Sequence, residues 1–136
     1  MTVVVLILLF SLVAPLPLLV IEKVFPYPFI IEELIKLIFV FILVTQENKF
    51  KKNMLPFVII SGILFAVSES IFYLINIFAS QAFMVFFQRL LMTGIMHSVT
   101  ILIIYLFTKR RRYWWILGFI IAMIVHFLYN YILLML

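Results

Sequence analysis

The sequence predicts an all-α membrane protein with five transmembrane helices, one accessory helix preceding a core of four. Three observations carry that prediction. Of the 136 residues 68% are hydrophobic and 11% charged, and the mean hydropathy of +1.38 lies far outside the range of water-soluble domains. The apolar residues come in runs of about 20, the length of helix that spans a hydrocarbon core of roughly 30 Å, with no trace of the alternation a lipid-facing β-barrel strand needs. Most of the net charge of +5 sits in two short hydrophilic breaks between the runs, a membrane-topology pattern that leaves no patch for nucleic acid. Cys and Asp are both absent, which removes disulfides, thiolate metal sites and an aspartyl dyad. Residues 1–136 read as one transmembrane helical domain.

The first run, 2–21, has neither a basic leader nor a small-x-small cleavage site, so it reads as a retained helix. Pro15 and Pro17 near its middle are expected to kink it, and the carbonyls they free need hydroxyls or neighbouring helices. The second run, 27–45, places Pro28 in its first turn and ends in a basic loop from Gln46 to Asn53. The third, 54–79, sets Gly62, Phe65, Glu69 and Asn76 near one helical face. After a break at Ser80 and Gln81, the fourth, 82–107, carries Arg89, Thr93, His97 and Thr100 on one face. If Gln88 and Arg89 sit at the membrane surface, Ala82 to Phe87 form an interfacial or re-entrant segment. A second basic break, Lys109 to Arg112, precedes the fifth run, 114–136, with Tyr113, Trp114 and Trp115 as interface anchors. Gly118, Ala122, His126 and Asn130 recur there every four residues, a small-residue groove ending in two polar side chains. Five spans put both basic loops on one side, which the positive-inside rule makes cytoplasmic. The N-terminus is then cytoplasmic and the C-terminus extracytoplasmic.

Inside these runs stand Glu32, Glu33, Lys36, Glu69, His97, His126 and Asn130, drawn from four successive helices. An ionisable residue near the bilayer centre costs roughly 2.5–3.5 kcal/mol, against a gain of about 0.3–0.6 per Leu, Ile, Phe or Val. The three charges between Phe29 and Phe39 would nearly cancel the gain of about twenty apolar neighbours on that scale, so a functional site is expected around them. Glu32 and Lys36 stand at i,i+4 and are expected to pair, with Lys36 structural or tuning. Glu33 points about 100° away and is free to face a reacting centre, and the rotation of the helix decides which of Glu32 and Glu33 faces inward. At about 1.5 Å per residue this stretch lies roughly 8–9 Å below the external surface, in the outer half of the bilayer.

Two imidazoles and a carboxylate suit a three-ligand catalytic zinc site with an open position for water. Glu69, His97 and His126 form that expected set, leaving a second carboxylate as general base and Asn130 as donor to a developing oxyanion. A metal-free site, with a Glu and a His activating water directly, is physically sound as well. No HExxH and no GxSxG-like nucleophile context occurs in the chain.

The order Glu32-Glu33-x-x-Lys36, Phe65-x-x-x-Glu69, His97 and His126-x-x-x-Asn130 on four consecutive helices resembles the PrsW branch of the CAAX-protease superfamily, over about Tyr27 to Leu136. The resemblance implies a glutamate-dependent or metal-dependent intramembrane endopeptidase with a four-helix catalytic core, acting on membrane-anchored proteins in the bilayer. Glu32, Glu33, Glu69, His97, His126 and Asn130 are then its catalytic residues, and a prokaryotic cell membrane its expected location. PrsW-type members cleave membrane-anchored anti-sigma factors on the outer side, whereas prenyl-protein relatives remove a C-terminal tripeptide. This chain is shorter than that pattern, with one additional helix and no sizeable loops. Two other classes use the same residue types: a proton-coupled transporter or channel, since Glu and His chains make proton relays, and a non-catalytic binding or immunity protein on the same fold. A repeated half and paired Gly/Pro-broken helices, the marks of many transporters, are missing.

Overall fold

The structure, a computed structural model, describes residues 2–22, 24–80, 83–110 and 113–135. They form six helices and no strand: α1 (Thr2–Val13), α2 (Pro15–Glu22), α3 (Pro28–Phe50), α4 (Leu55–Ser80), α5 (Phe83–Thr108) and α6 (Trp114–Met135). The first apolar run is therefore two helices, where one kinked helix was expected. Ala14 still donates to Phe10 O at 2.7 Å, but Pro15 and Pro17 have no N–H to continue the ladder, and the chain restarts with Pro15 as the first residue of α2. Ser11, just before the break, donates to Ile7 O at 2.8 Å and shares a hydrogen bond with Ser61 on α4. The pair of hydroxyls ties the accessory segment to the core.

α3 continues five residues beyond the predicted end at Thr45 and stops where Lys51 turns into the left-handed region, at φ 51°. The extension is supported from α5: Glu47 accepts hydrogen bonds from Tyr105 and, at 2.6 Å, from Lys109. Burial alone would raise the Glu47 carboxyl, but these bonds outweigh it and hold the group below its ordinary value. The bond to Glu47 likewise raises the Lys109 ammonium. Asn53 then leads into α4 through an Asx turn, its side-chain oxygen accepting from Leu55 N at 3.0 Å. α5 is unbroken from Phe83, so the expected re-entrant segment is helical wherever it falls within the described residues; Gln81 and Ala82 lie outside them, as does the side chain of Asn76.

Among the described residues, two helices are long and apolar enough to cross a bilayer on their own, over Met84–Thr108 and Trp114–Leu133, while the apolar stretches Thr2–Leu18 and Leu55–Ile71 are shorter. α3 has the length, but carries Glu32, Glu33 and Lys36 in its first three turns. The exterior is apolar nonetheless. Leu91 is 62% exposed and Ile124 52%, whereas Glu33 and His97 are completely buried, the polarity distribution of a protein solvated by lipid.

α5 is the central helix, packed against α4, α6 and α3, while α1 lies on α4 and α2 touches α3 and α4. Two glycines allow the close approaches. A Cβ on Gly62 would lie 2.7 Å from Ser98 Cα, so the α4 and α5 backbones are in direct contact there, and one on Gly118 would lie 2.6 Å from Phe107 Cβ. Val40, Leu43, Val58, Ile104 and Ala122 fill an apolar core at the end that bears the basic segments. That packing leaves the first half of α3 and the middles of α4, α5 and α6 to surround the polar residues.

Candidate active site

The ionisable side chains come from four helices and, Glu69 apart, are buried, so the site has to satisfy these groups from within. α3 supplies Glu32, Glu33 and Lys36, all buried. Lys36 Nζ donates to Glu33 Oε1 at 2.5 Å and to Thr100 Oγ1 at 3.0 Å, and lies 5.2 Å from the centre of the Phe65 ring. The recorded ion pair thus runs from Lys36 to Glu33 at i,i+3, where an i,i+4 pair with Glu32 was expected. The partners on α4 and α5, Phe65 and Thr100, explain the difference: they lie where the lysine stem must reach, and helical geometry allows either spacing.

Glu33 Oε1 also meets His126 Nδ1, at 2.7 Å. With Glu33 ionised beside Lys36, His126 donates from Nδ1 and carries its lone pair on Nε2. That nitrogen stands 3.8 Å from Glu32 Oε2. The second imidazole is held the same way. His97 Nε2 meets Glu69 Oε2 at 2.6 Å, and His97 Nδ1 is buried with no hydrogen-bond partner among the described residues. The two rings stand edge to face with centres 5.3 Å apart, and Phe65 packs on His97 at 4.9 Å.

Glu32, His97 and His126 each offer one ligand atom, all within 4.8 Å of one another. Donors around a tetrahedral zinc at about 2.1 Å lie roughly 3.4 Å apart, so side-chain adjustments of an ångström or so bring the group to that spacing. The chemistry of the set also fits a divalent cation: one carboxylate and two neutral imidazoles, each imidazole oriented from behind by a carboxylate on another helix. Glu69, expected as a ligand, stands behind His97, and Glu32, expected as the neutralised partner of Lys36, stands with the imidazoles. Asn130, one turn beyond His126, is half-buried and makes no hydrogen bond or ion pair with the described residues.

Thr100 and the Thr93–Tyr129 pair, with hydroxyls 2.9 Å apart, are contacts that the sequence did not announce. Thr93 and Thr100 share the face of His97, which is the signal available, but their partners lie on other helices. An apolar groove of about 520 Å³ between α4 and α5, lined by Ile63, Ala66, Leu91, Gly94 and Ile95 among others, contains none of the ionisable groups.

No curated protein and no solved structure matches the chain. A buried Glu/His/His set within a lipid-solvated helical bundle agrees with the match to the family model of the PrsW family intramembrane metalloproteases: it covers residues 2–136, essentially the whole sequence and more than the span that carries the motifs, and the chain belongs to that family.

Proposed function

We propose that the chain is an intramembrane endopeptidase that hydrolyses peptide bonds of membrane-anchored proteins, with Glu32, His97 and His126 holding a divalent cation, zinc by the character of the donors. The observation that carries this reading is the approach of those three side chains to within 4.8 Å of one another, each imidazole backed by its own carboxylate. A bound divalent cation supplies Lewis acidity, lowering the pKa of water and polarising a carbonyl.

The remaining work belongs to the side chains. Glu33, ionised by Lys36, holds His126 by Nδ1 and keeps its Nε2 lone pair turned towards Glu32. Glu69 does the same for His97 through Oε2. At 23% exposure Glu69 is more accessible than the enclosed Glu33, and its second oxygen accepts, relayed through one further water, the proton that the attacking water loses as its oxygen adds to the scissile carbonyl carbon. Protonated Glu69 then returns that proton to the amide nitrogen as the C–N bond breaks. Asn130 donates its amide to the developing oxyanion.

In the arrangement we favour, the α1–α2 segment and α3 to α6 make five crossings of a cell membrane, prokaryotic by family resemblance. The N-terminus is cytoplasmic and the C-terminus extracytoplasmic, and the scissile bond enters in the outer half of the bilayer. The test is cleavage of membrane-anchored substrates by the purified full chain in detergent. Glu32→Ala, His97→Ala, His126→Ala and Glu69→Gln are each expected to lower kcat/KM by at least about 100-fold, the loss typical of a general acid–base or ligand group. Wild-type turnover in Glu32→Ala or His126→Ala would overturn the proposal.

A further inference from the structure

We infer that Thr100 is a positioning residue of this site, acting through Lys36 to fix both imidazoles; the inference rests on the peptidase reading. A buried ammonium must place three N–H groups. Lys36, only 1% exposed, directs them to Glu33 Oε1, to Thr100 Oγ1 and towards the face of Phe65. Each of these partners leads to an imidazole. Glu33 grips His126 Nδ1, Phe65 packs on the His97 ring, and Thr100 donates its own proton to His97 O at 3.2 Å.

That last bond determines what Thr100 offers. Its hydroxyl proton is committed to the α5 backbone, so a lone pair faces Lys36, and the side chain becomes a tie between α3 and the helix that carries His97. Thr45 and Thr108 show the ordinary alternative, with hydroxyls donating to Phe41 O and Ile104 O in their own helices. Thr100 is completely buried and adds the interhelical contact. Because Glu33 Oε1 serves both Lys36 and His126, any displacement of the ammonium reaches the imidazole through one atom.

Thr100→Val keeps the shape and removes the hydroxyl. The expected result is a kcat about tenfold lower, the small end of losses for groups that orient metal ligands, with KM unchanged and Thr100→Ser restoring the rate. A second readout needs no turnover: the ring ¹⁵N signals of His126 and His97 in the metal-free chain should shift in Thr100→Val and return in Thr100→Ser. Wild-type kcat with unmoved ring signals overturns the inference. So does a lowered melting temperature with unmoved ring signals, since that is a packing role alone. Should Thr100→Val fail to fold, Thr100→Ala removes the same hydroxyl and is read in the same way. If the wild-type chain cleaves nothing, the peptidase reading fails by itself, and the ring signals still decide whether Thr100 positions the imidazoles.

Discussion

Replacing Gly62 by Ala tests how tightly the site depends on the contact between α4 and α5. The added methyl would lie 2.7 Å from Ser98 Cα, 2.9 Å from Ser98 N and 3.0 Å from His97 C, all backbone atoms of α5, where ordinary contact begins at 3.4 Å. No side chain can move aside, so the two helices must part by about 0.7 Å, the difference between 3.4 and 2.7. Glu69 rides on α4 and His97 on α5. If the gap carries through the two turns from Gly62 to Glu69, their 2.6 Å hydrogen bond opens to about 3.3 Å, beyond the favourable range for an N–H···O bond. Over-packing of this kind costs about 1–3 kcal/mol, and a misplacement near 1 Å at reacting groups can cost about 100-fold in rate. We therefore expect Gly62→Ala to lower both the melting temperature and kcat, the latter by about tenfold. Measured together on detergent-solubilised protein, a wild-type melting temperature and wild-type kcat would refute the reasoning. A built-in control is Ser98→Gly, which leaves the clashing backbone atoms in place and so should not rescue Gly62→Ala.

Two further outcomes follow from the same geometry. Zinc at about 100 times its dissociation constant should stabilise the chain by about 2.7 kcal/mol, and a chelator should abolish the gain. Glu32→Ala should lose this shift, whereas Glu69→Ala should retain a smaller one; the reverse order would return Glu69 to the ligand position that the sequence suggests. At the other end of the bundle, Glu47 has a lowered pKa and Lys109 a raised one. The pair's stabilisation is therefore full between the ordinary values of about 4.5 and 10.5, falls away as pH drops through the depressed Glu47 value, and falls away as pH rises through the elevated Lys109 value. Because Lys109 is 42% exposed, the effect is small, under about 1 kcal/mol. The difference in melting temperature between wild type and Glu47→Gln should be flat across neutral pH and vanish in strong acid. A difference that persists below Glu47's titration would contradict the pairing.

The class of the molecule was legible in the sequence, because hydropathy and run length report directly on lipid solvation. The sequence also showed which residues are costly to bury, and thus that Glu32, Glu33, Lys36, Glu69, His97 and His126 need one another. Helical periodicity placed Phe65 and Glu69 on one face and His97 with Thr100 on another, and both placements agree with the contacts made. What it could not decide was which carboxylate serves which partner. Glu32 and Glu33 differ by about 100° on one helix, and Lys36 reaches either at i,i+4 or i,i+3 for nearly equal local energy. Only α4 and α5, by setting Phe65 and Thr100 around the ammonium, bring Lys36 to Glu33 and leave Glu32 beside the imidazoles. The exchange of Glu69 for Glu32 in the candidate ligand set has the same origin. The extension of α3 to Phe50 turns on tertiary partners too, Tyr105 and Lys109 on α5, whereas the break at Ala14 follows from the missing N–H groups of Pro15 and Pro17. Composition decides that a charge must be paired inside lipid; the packing of neighbouring helices decides with what.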